Sequence, residues 1–326
     1  MKKSMFIKAL CLFPLLTILF TRTSTANTGM SARIDSFSFM QSLQALENKV
    51  PLTYNSYVQR FINVYTGTQK ARFSKVLGLS KYYFPIYEKI FRERNVPEEL
   101  KYISVIESSL NPHAVSRVGA TGLWQFMYET GKIYGLTIND EQDDRKDPVK
   151  ACNAAASYLL DSYFMYDDWL LAIASYNCGR NNIRWAIEKA GGKKDFWSIR
   201  EFLPEETRNY VPAFIATVYI MNNSRQLRIV PSESGLPENT DAIPLTSAVS
   251  LKEVSKATGI SLSLLSALNP SFKDYFINAS PEKPGTLVLP QKAPYAYTSL
   301  RQLLTRSRNN EQNAAINTAG GSAGEN

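Results

Sequence analysis

The sequence predicts a mainly α protein with a small α+β unit towards its C-terminal end. Three observations predict it. Between residues 85 and 225 no stretch alternates apolar and polar residues as a strand would, whereas three-and-four spacings of apolar residues recur throughout. Helix-start and helix-stop residues punctuate that block, as at Asn95-Val96-Pro97-Glu98-Glu99 and at Asn111-Pro112. After residue 222 the composition shifts to prolines, serines and acids. Two short helical patterns then lead to Pro284-Gly285-Thr286-Leu287-Val288-Leu289-Pro290, which reads as a turn and a short strand.

The 326 residues suffice for two or three domains. Residues 1–26 read as a secretory signal: Lys2, Lys3 and Lys8 precede an apolar run from Ala9 to Phe20, and Ser24-Thr25-Ala26 offers small residues for cleavage. The run is short for a membrane span. Cys11 lies inside it after Leu10, where lipid attachment would want a small residue, so membrane association through a lipidated cysteine is not indicated. Removing this segment takes four basic residues and no acid, lowering the net charge from +8 to +4. That balance suits an anionic polymer, and no Lys/Arg-rich run marks a nucleic-acid binder. His113 is the only histidine, which excludes a multi-histidine metal site. Cys152 and Cys178 lack metal-ligand spacing and read either as one disulfide or as two separately buried thiols. No cofactor is expected.

In order, residues 27–40 read as loose, and Phe39–Val50 and Pro51–Arg72 as helical. Pro85 reads as the first turn of a helix through Ile86, Ile90 and Phe91. In the next helix, Leu100, Ile103, Glu107 and Leu110 share one face. A carboxylate there either pairs, reaches solvent at the edge of the stripe, or has its pKa raised and serves as a general acid. Gly119 and Gly122 imply a tight loop, and Leu123–Tyr134 a helix. Asp140–Asp147 reads as a solvated loop, since an EF-hand's Gly and terminal Glu are missing. Helices follow from Asp147-Pro148, over Trp169–Asn177 with a stop at Cys178-Gly179, over Asn182–Ala190, and over Glu205–Met221.

Four motifs lie in order within residues 97–212: Glu107-Ser108; Gly122-Leu123-Trp124-Gln125; Ala174-Ser175-Tyr176-Asn177-Cys178-Gly179; and Glu206-Thr207-Arg208-Asn209-Tyr210-Val211. Each is weak alone. Together they resemble the catalytic domain of lytic transglycosylases of the goose-type-lysozyme-like kind, nearest to the membrane-bound lytic murein transglycosylase D group. In the third motif Ser175 stands where the family usually has Ala.

The resemblance implies a lysozyme-like helical domain that acts on peptidoglycan without hydrolysis. Glu107 would be the single catalytic acid/base. Ser116 and Gln125 match groove positions, Met127 an apolar wall, Tyr176 and Asn177 positions near the cleaved bond, and Tyr210 the tyrosine that places the carboxyl. Met127 and Trp124 also read as plain core, and Ser116 as a turn former. Peptidoglycan glycan strands are the implied partner, with other cell-wall enzymes as further candidates. The implied location is the periplasm, with envelope association open. A lysozyme-type hydrolase and a non-catalytic peptidoglycan-binding protein are the alternatives.

Residues 249–290 faintly resemble a LysM peptidoglycan-binding module, although the usual opening strand is not visible in Asp241–Ser250. The expected organisation is therefore a signal peptide (1–26), an N-terminal helical extension (27–84), the catalytic domain (85–228), a linker (229–240), a LysM-like module (241–292) and a disordered tail (293–326).

Overall fold

The computed structural model describes residues 29–291 and 297–306, with side chains described from Phe37 onward. The expected signal peptide (1–26) falls outside these residues. The chain forms two compact units. The first comprises residues up to Leu136 and Pro148–Ser234; the second comprises Thr137–Asp147 and the chain from Gly235.

The first unit is helical throughout. Its elements are α1 (Gly29–Leu46), α2 (Ser56–Thr66), α3 (Lys70–Glu93), α4 (Tyr102–Ser108), α5 (Tyr128–Ile133), α6 (Pro148–Tyr166), α7 (Trp169–Cys178), α8 (Arg180–Lys189), α9 (Phe196–Ile199) and α10 (Glu205–Asn222). A 3-10 turn at Glu98–Lys101 leads into α4. Side chains start several of these helices as their residue types predict. Asn55, Asp168 and Asp195 each accept hydrogen bonds from first-turn backbone N–H groups, which have no partner within the helix. At the centre lies α10, whose residues Tyr210 to Met221 are all buried. It packs on α2, α4 and α7, while α6 packs on α3 and α7. A helix that is apolar all round needs neighbours on every side, and these supply them.

Several expectations need correction. Residues 29–40 are helical, not loose. Pro85 does not open a helix: it lies inside α3, so the expected boundary between residues 84 and 85 cuts a continuous 24-residue helix. The missing N–H of a proline usually breaks a helix, but here burial of Phe73, Leu77, Tyr83, Tyr87 and Phe91 along α3 outweighs it. Only Tyr128–Ile133 of the stretch 123–134 is helical.

In the second unit, β1 (Thr240–Leu245) pairs antiparallel with β4 (Gly285–Pro290), placing Ile243 opposite Leu287. β2 (Val249–Ser250) pairs with β3 (Phe276–Ile277). Between them lie α11 (Leu251–Thr258) and α12 (Leu262–Leu268). The opening strand missing from the sequence reading is thus β1. Pro244 and Asp241 disguise it, and Pro is tolerated because β1 has a neighbour on one side only. The expected disordered tail is partly helical, over residues 297–306, and Leu300 joins the core of Leu245, Val254, Leu265 and Leu289. Residues 307–326 lie outside the described part.

The acidic stretch Asp140–Asp147 is not a solvated loop. Gln142, Asp143, Asp144 and Arg145 are buried. Asp143 N–H donates to Ser271 O (2.8 Å), Lys273 N–H donates to Glu141 O (2.9 Å), and Asn278 Nδ2 donates to Glu141 Oε1 (2.7 Å). The Arg145 guanidinium grips the Asp143 carboxylate (2.7 Å). The second unit is therefore built from two distant pieces of chain.

Asn269 holds that unit together from inside. Its Nδ2 donates to Leu265 O (2.8 Å) and Val288 O (2.7 Å), and its Oδ1 accepts from Val288 N–H (2.8 Å). An amide side chain thus pairs α12 with β4 as a strand would. Asn269→Ala leaves the β4 groups unpaired and is expected to cost about 2–4 kcal/mol. Hydrogen exchange should then show lost protection of the Val288 amide.

Candidate active site

Every residue of α4 from Tyr102 to Ser108 is buried. Leu100, Ile103, Glu107 and Leu110 are all buried, as the periodicity requires, but they do not lie on one helix. Leu100 belongs to the 3-10 turn and Leu110 follows the helix end. There Ser109 and Leu110 both take left-handed φ values, 56° and 61°. Such a conformation costs a non-glycine residue roughly 1–2 kcal/mol. Local bonds offset it: Ser108 Oγ donates to Ser104 O (3.1 Å) and Leu123 O (2.9 Å), tying the end of α4 to the Gly122 loop.

The Glu107 side chain is 3% exposed, and Tyr210 Oη donates to Glu107 Oε1 at 2.6 Å. A buried carboxyl needs such a partner. Tyr210 comes from the second turn of α10, so the contact joins residues 103 positions apart. Burial first, and then the negative charge of Glu107, push the Tyr210 hydroxyl well above the ordinary tyrosine value. The hydroxyl therefore stays a donor at neutral pH. Tyr176 is shifted up in the same way, first by burial and then by Glu107. Its hydroxyl donates to Trp124 O (2.8 Å). Trp124 is fully buried against Tyr87 and Phe91, which makes it core.

The second motif is a turn rather than a helix. Gly122 and Gln125 have φ values of 85° and 47°. Gln125 Nε2 donates to Ala114 O (3.1 Å) and Gly122 O (2.9 Å), while its buried Oε1 has no partner among the described residues. Asn177 mirrors it: Oδ1 accepts from Thr207 Oγ1 (2.6 Å), and the buried Nδ2 has no partner among the described residues. Thr207 sits three residues before Tyr210 on α10. One acceptor and one donor are thus left unpaired on two motif residues, and an unpaired buried polar atom is costly unless a ligand satisfies it. Met127 is half-buried at the start of α5. Ser116 Oγ accepts from Ala120 N–H (2.9 Å) within its own turn.

A cleft of about 1460 Å³ lies between the segments that follow Met127 and Asn177. Tyr134, Tyr158, Arg180, Trp185 and Phe202 line it. Arg180 lies 4.3 Å over the Tyr158 ring and donates to Tyr134 Oη (2.7 Å), and Trp185 is half exposed. Of the residues named from sequence, the structure joins Glu107 to Tyr210 directly and Asn177 to α10 through Thr207. Thr207, Arg180 and Trp185 were not singled out. Thr207 stood inside the fourth motif, and the other two carried no local signal.

Cys152 and Cys178 are both buried free thiols. Burial raises both, Cys178 to about 12. Neither should react with a thiol reagent at pH 8 until the chain unfolds. Because folding holds the Cys178 proton beyond the ordinary value of 9.0, its contribution to stability is full below that value. It declines as pH rises from there towards 12. Thermal midpoints measured across that window check the sign.

Residues 84–199 match the Transglycosylase SLT domain, and residues 239–305 match the family "Lytic transglycosylase MltD, LysM-like domain". Tyr210 lies beyond the first match. The chain is 36% identical over 205 residues to membrane-bound lytic murein transglycosylase D of Escherichia coli K12, covering 62% of this chain and 44% of that protein. It is 30% identical over 145 residues to the soluble lytic murein transglycosylase of the same organism, covering 41% and 22%. A crystal structure of the 70 kDa soluble lytic transglycosylase from Escherichia coli aligns with a TM-score of 0.38 and 25% identity, over 47% of this chain and 26% of that one. The chain thus spans less than half the length of these curated relatives. Residues 84–199 are thus similar to the transglycosylase SLT domain, and residues 239–305 to the LysM-like domain of lytic transglycosylase MltD.

Proposed function

We propose that the protein is a peptidoglycan lytic transglycosylase with Glu107 as its one acid/base. The observation that carries this reading is the Glu107–Tyr210 contact, buried where the four motifs converge. Glu107 in its neutral form donates its proton to the glycosidic oxygen between N-acetylmuramic acid and N-acetylglucosamine, and the bond from muramic C1 to that oxygen breaks. The sugar's own 2-acetamido oxygen stabilises the cationic C1. Glu107, now a carboxylate, takes the proton of the muramic C6 hydroxyl, whose oxygen closes on C1. The product is a 1,6-anhydro end, the carboxyl is neutral again, and no water is consumed.

Tyr210 and the surrounding apolar side chains hold the carboxyl in place and dry. The unpaired Gln125 Oε1 and Asn177 Nδ2 suit the N–H and C=O of an acetamido group or sugar hydroxyls. Ser116 and Met127 are proposed to border the same groove, and Tyr176 to fix its wall through Trp124. An envelope substrate fits the signal-like N-terminus, and glycan strands are the partner.

Purified murein digested with the protein should give muropeptides one water lighter than those of a lysozyme digest. Products of lysozyme mass would contradict the reading. A hydrolase on this fold would need a second acid. Glu206, on α10, is the acid whose charge also reaches the Tyr210 hydroxyl. Under the one-carboxyl reading, Glu206→Gln retains activity within about threefold, measured by dye release from labelled murein. A loss like that of a general base, about 100-fold or more, would favour hydrolysis.

A further inference from the structure

Arg72 lies on α3, before the residues that match the SLT domain and outside all four motifs. Its mostly buried guanidinium has no carboxylate partner among the described residues. Instead it serves the end of α4. Nε donates to Ser109 Oγ (2.7 Å), Nη2 donates to Val105 O (2.9 Å), and Nη1 donates to Gln69 Oε1 (2.9 Å). Val105 O also accepts the capping N–H of Ser109 (3.0 Å). A cation on the last carbonyls of a helix is favourable on both dipole and hydrogen-bond grounds. This helix end is also where the left-handed pair Ser109 and Leu110 follows Glu107 within three residues.

The other side of Arg72 leads to α10. The Tyr65 hydroxyl sits beside both the Arg72 guanidinium and the Thr217 hydroxyl. Thr217 is seven residues, two helical turns, after Tyr210 and on the same face. Arg72 therefore ties the backbone that carries Glu107 to the helix that carries Tyr210, by a route independent of the Tyr210–Glu107 bond.

We infer that Arg72 is a positioning residue that holds the Glu107 carboxyl in register with Tyr210 by fixing the left-handed end of α4. The inference rests on the reading of Glu107 as the acid/base. A buried cation without a counter-ion is costly to maintain, and packing alone would be served better by an apolar side chain. A misplacement of about 1 Å in such a constellation can cost 10²-fold in rate.

The test compares wild type, Arg72→Ala, Arg72→Lys, Ser109→Ala and Glu107→Gln in the full chain, by steady-state kinetics on labelled murein. Arg72→Ala is expected to lower kcat about tenfold or more with KM within twofold. Millimolar guanidinium, but not equal sodium chloride, should restore part of the loss. Arg72→Lys should fall between, since an ammonium reaches one of the two acceptors at the end of α4, Val105 O and Ser109 Oγ. Ser109→Ala, which removes one acceptor and leaves the packing, should lower kcat a few-fold and keeps the inference testable if Arg72→Ala does not fold. The inference is overturned if kcat of Arg72→Ala stays within twofold of wild type, if its loss is matched by KM, or if guanidinium gives no recovery. It is overturned equally if Arg72→Ala does not fold and Ser109→Ala has wild-type kcat. Failure of the Glu107 reading would show separately, as activity remaining in Glu107→Gln.

Discussion

Glu107→Gln abolishes murein cleavage, with a fall of about 10³-fold or more, while the fold is kept. The magnitude follows from the role. A residue that both gives and takes the proton in one cycle supplies acid and base catalysis, each worth about 10²–10⁴-fold. Glutamine has the same shape but no transferable proton, and its amide can still meet the Tyr210 hydroxyl at the present position of Oε1. Circular dichroism and the thermal midpoint should therefore change little. Dye release from labelled murein, measured with enough protein to detect a thousandth of wild-type activity, checks it. Activity within tenfold of wild type would remove Glu107 from the reaction.

The second large effect is at Tyr210. Tyr210→Phe removes one oxygen from a site that is 1% exposed and leaves the ring packed in α10. Hydrogen bonds to charged groups contribute about 1.5–3 kcal/mol, so kcat is expected to fall about 10- to 100-fold. KM should move little, because the hydroxyl faces the carboxyl. The variant separates placement from packing: a matched loss in thermal stability without a kcat effect would make Tyr210 structural only. Since burial and Glu107 hold the hydroxyl proton well above the ordinary tyrosine range, its contribution should persist through alkaline pH until the protein itself fails.

The helical block was legible because its local signals agree with its tertiary structure. Asn95 to Glu99 starts a helix, Gly179 separates two, and Asp147-Pro148 opens another. Glu107 was legible as an anomaly, a carboxylate among buried apolar positions, and the motifs gave it partners. What sequence spacing could not give was termination and non-local support. Helical periodicity runs on to Leu110, yet α4 ends at Ser108, where Arg72 donates to Val105 O and Leu123 O accepts from Ser108 Oγ, neither partner being adjacent in sequence. The stretch from Leu123 reads as helix by composition, but Gln125 takes a positive φ so that its amide can reach Ala114 and Gly122. Asp140 to Asp147 reads as a solvated acidic loop because its partners, Ser271, Lys273 and Asn278, lie more than 120 residues away. β1 was hidden because a strand with a proline looks like a linker until β4 is placed beside it.

The central claim is that the C6 hydroxyl, not water, closes on the muramic C1 with Glu107 as the only acid/base. Digestion in heavy-oxygen water tests it most directly. Mass spectrometry of the released muropeptides should find no heavy oxygen at the new muramic ends, and a mass equal to that of a digest in ordinary water. One heavy oxygen atom per cleaved bond would show that water attacks C1, and would contradict the account.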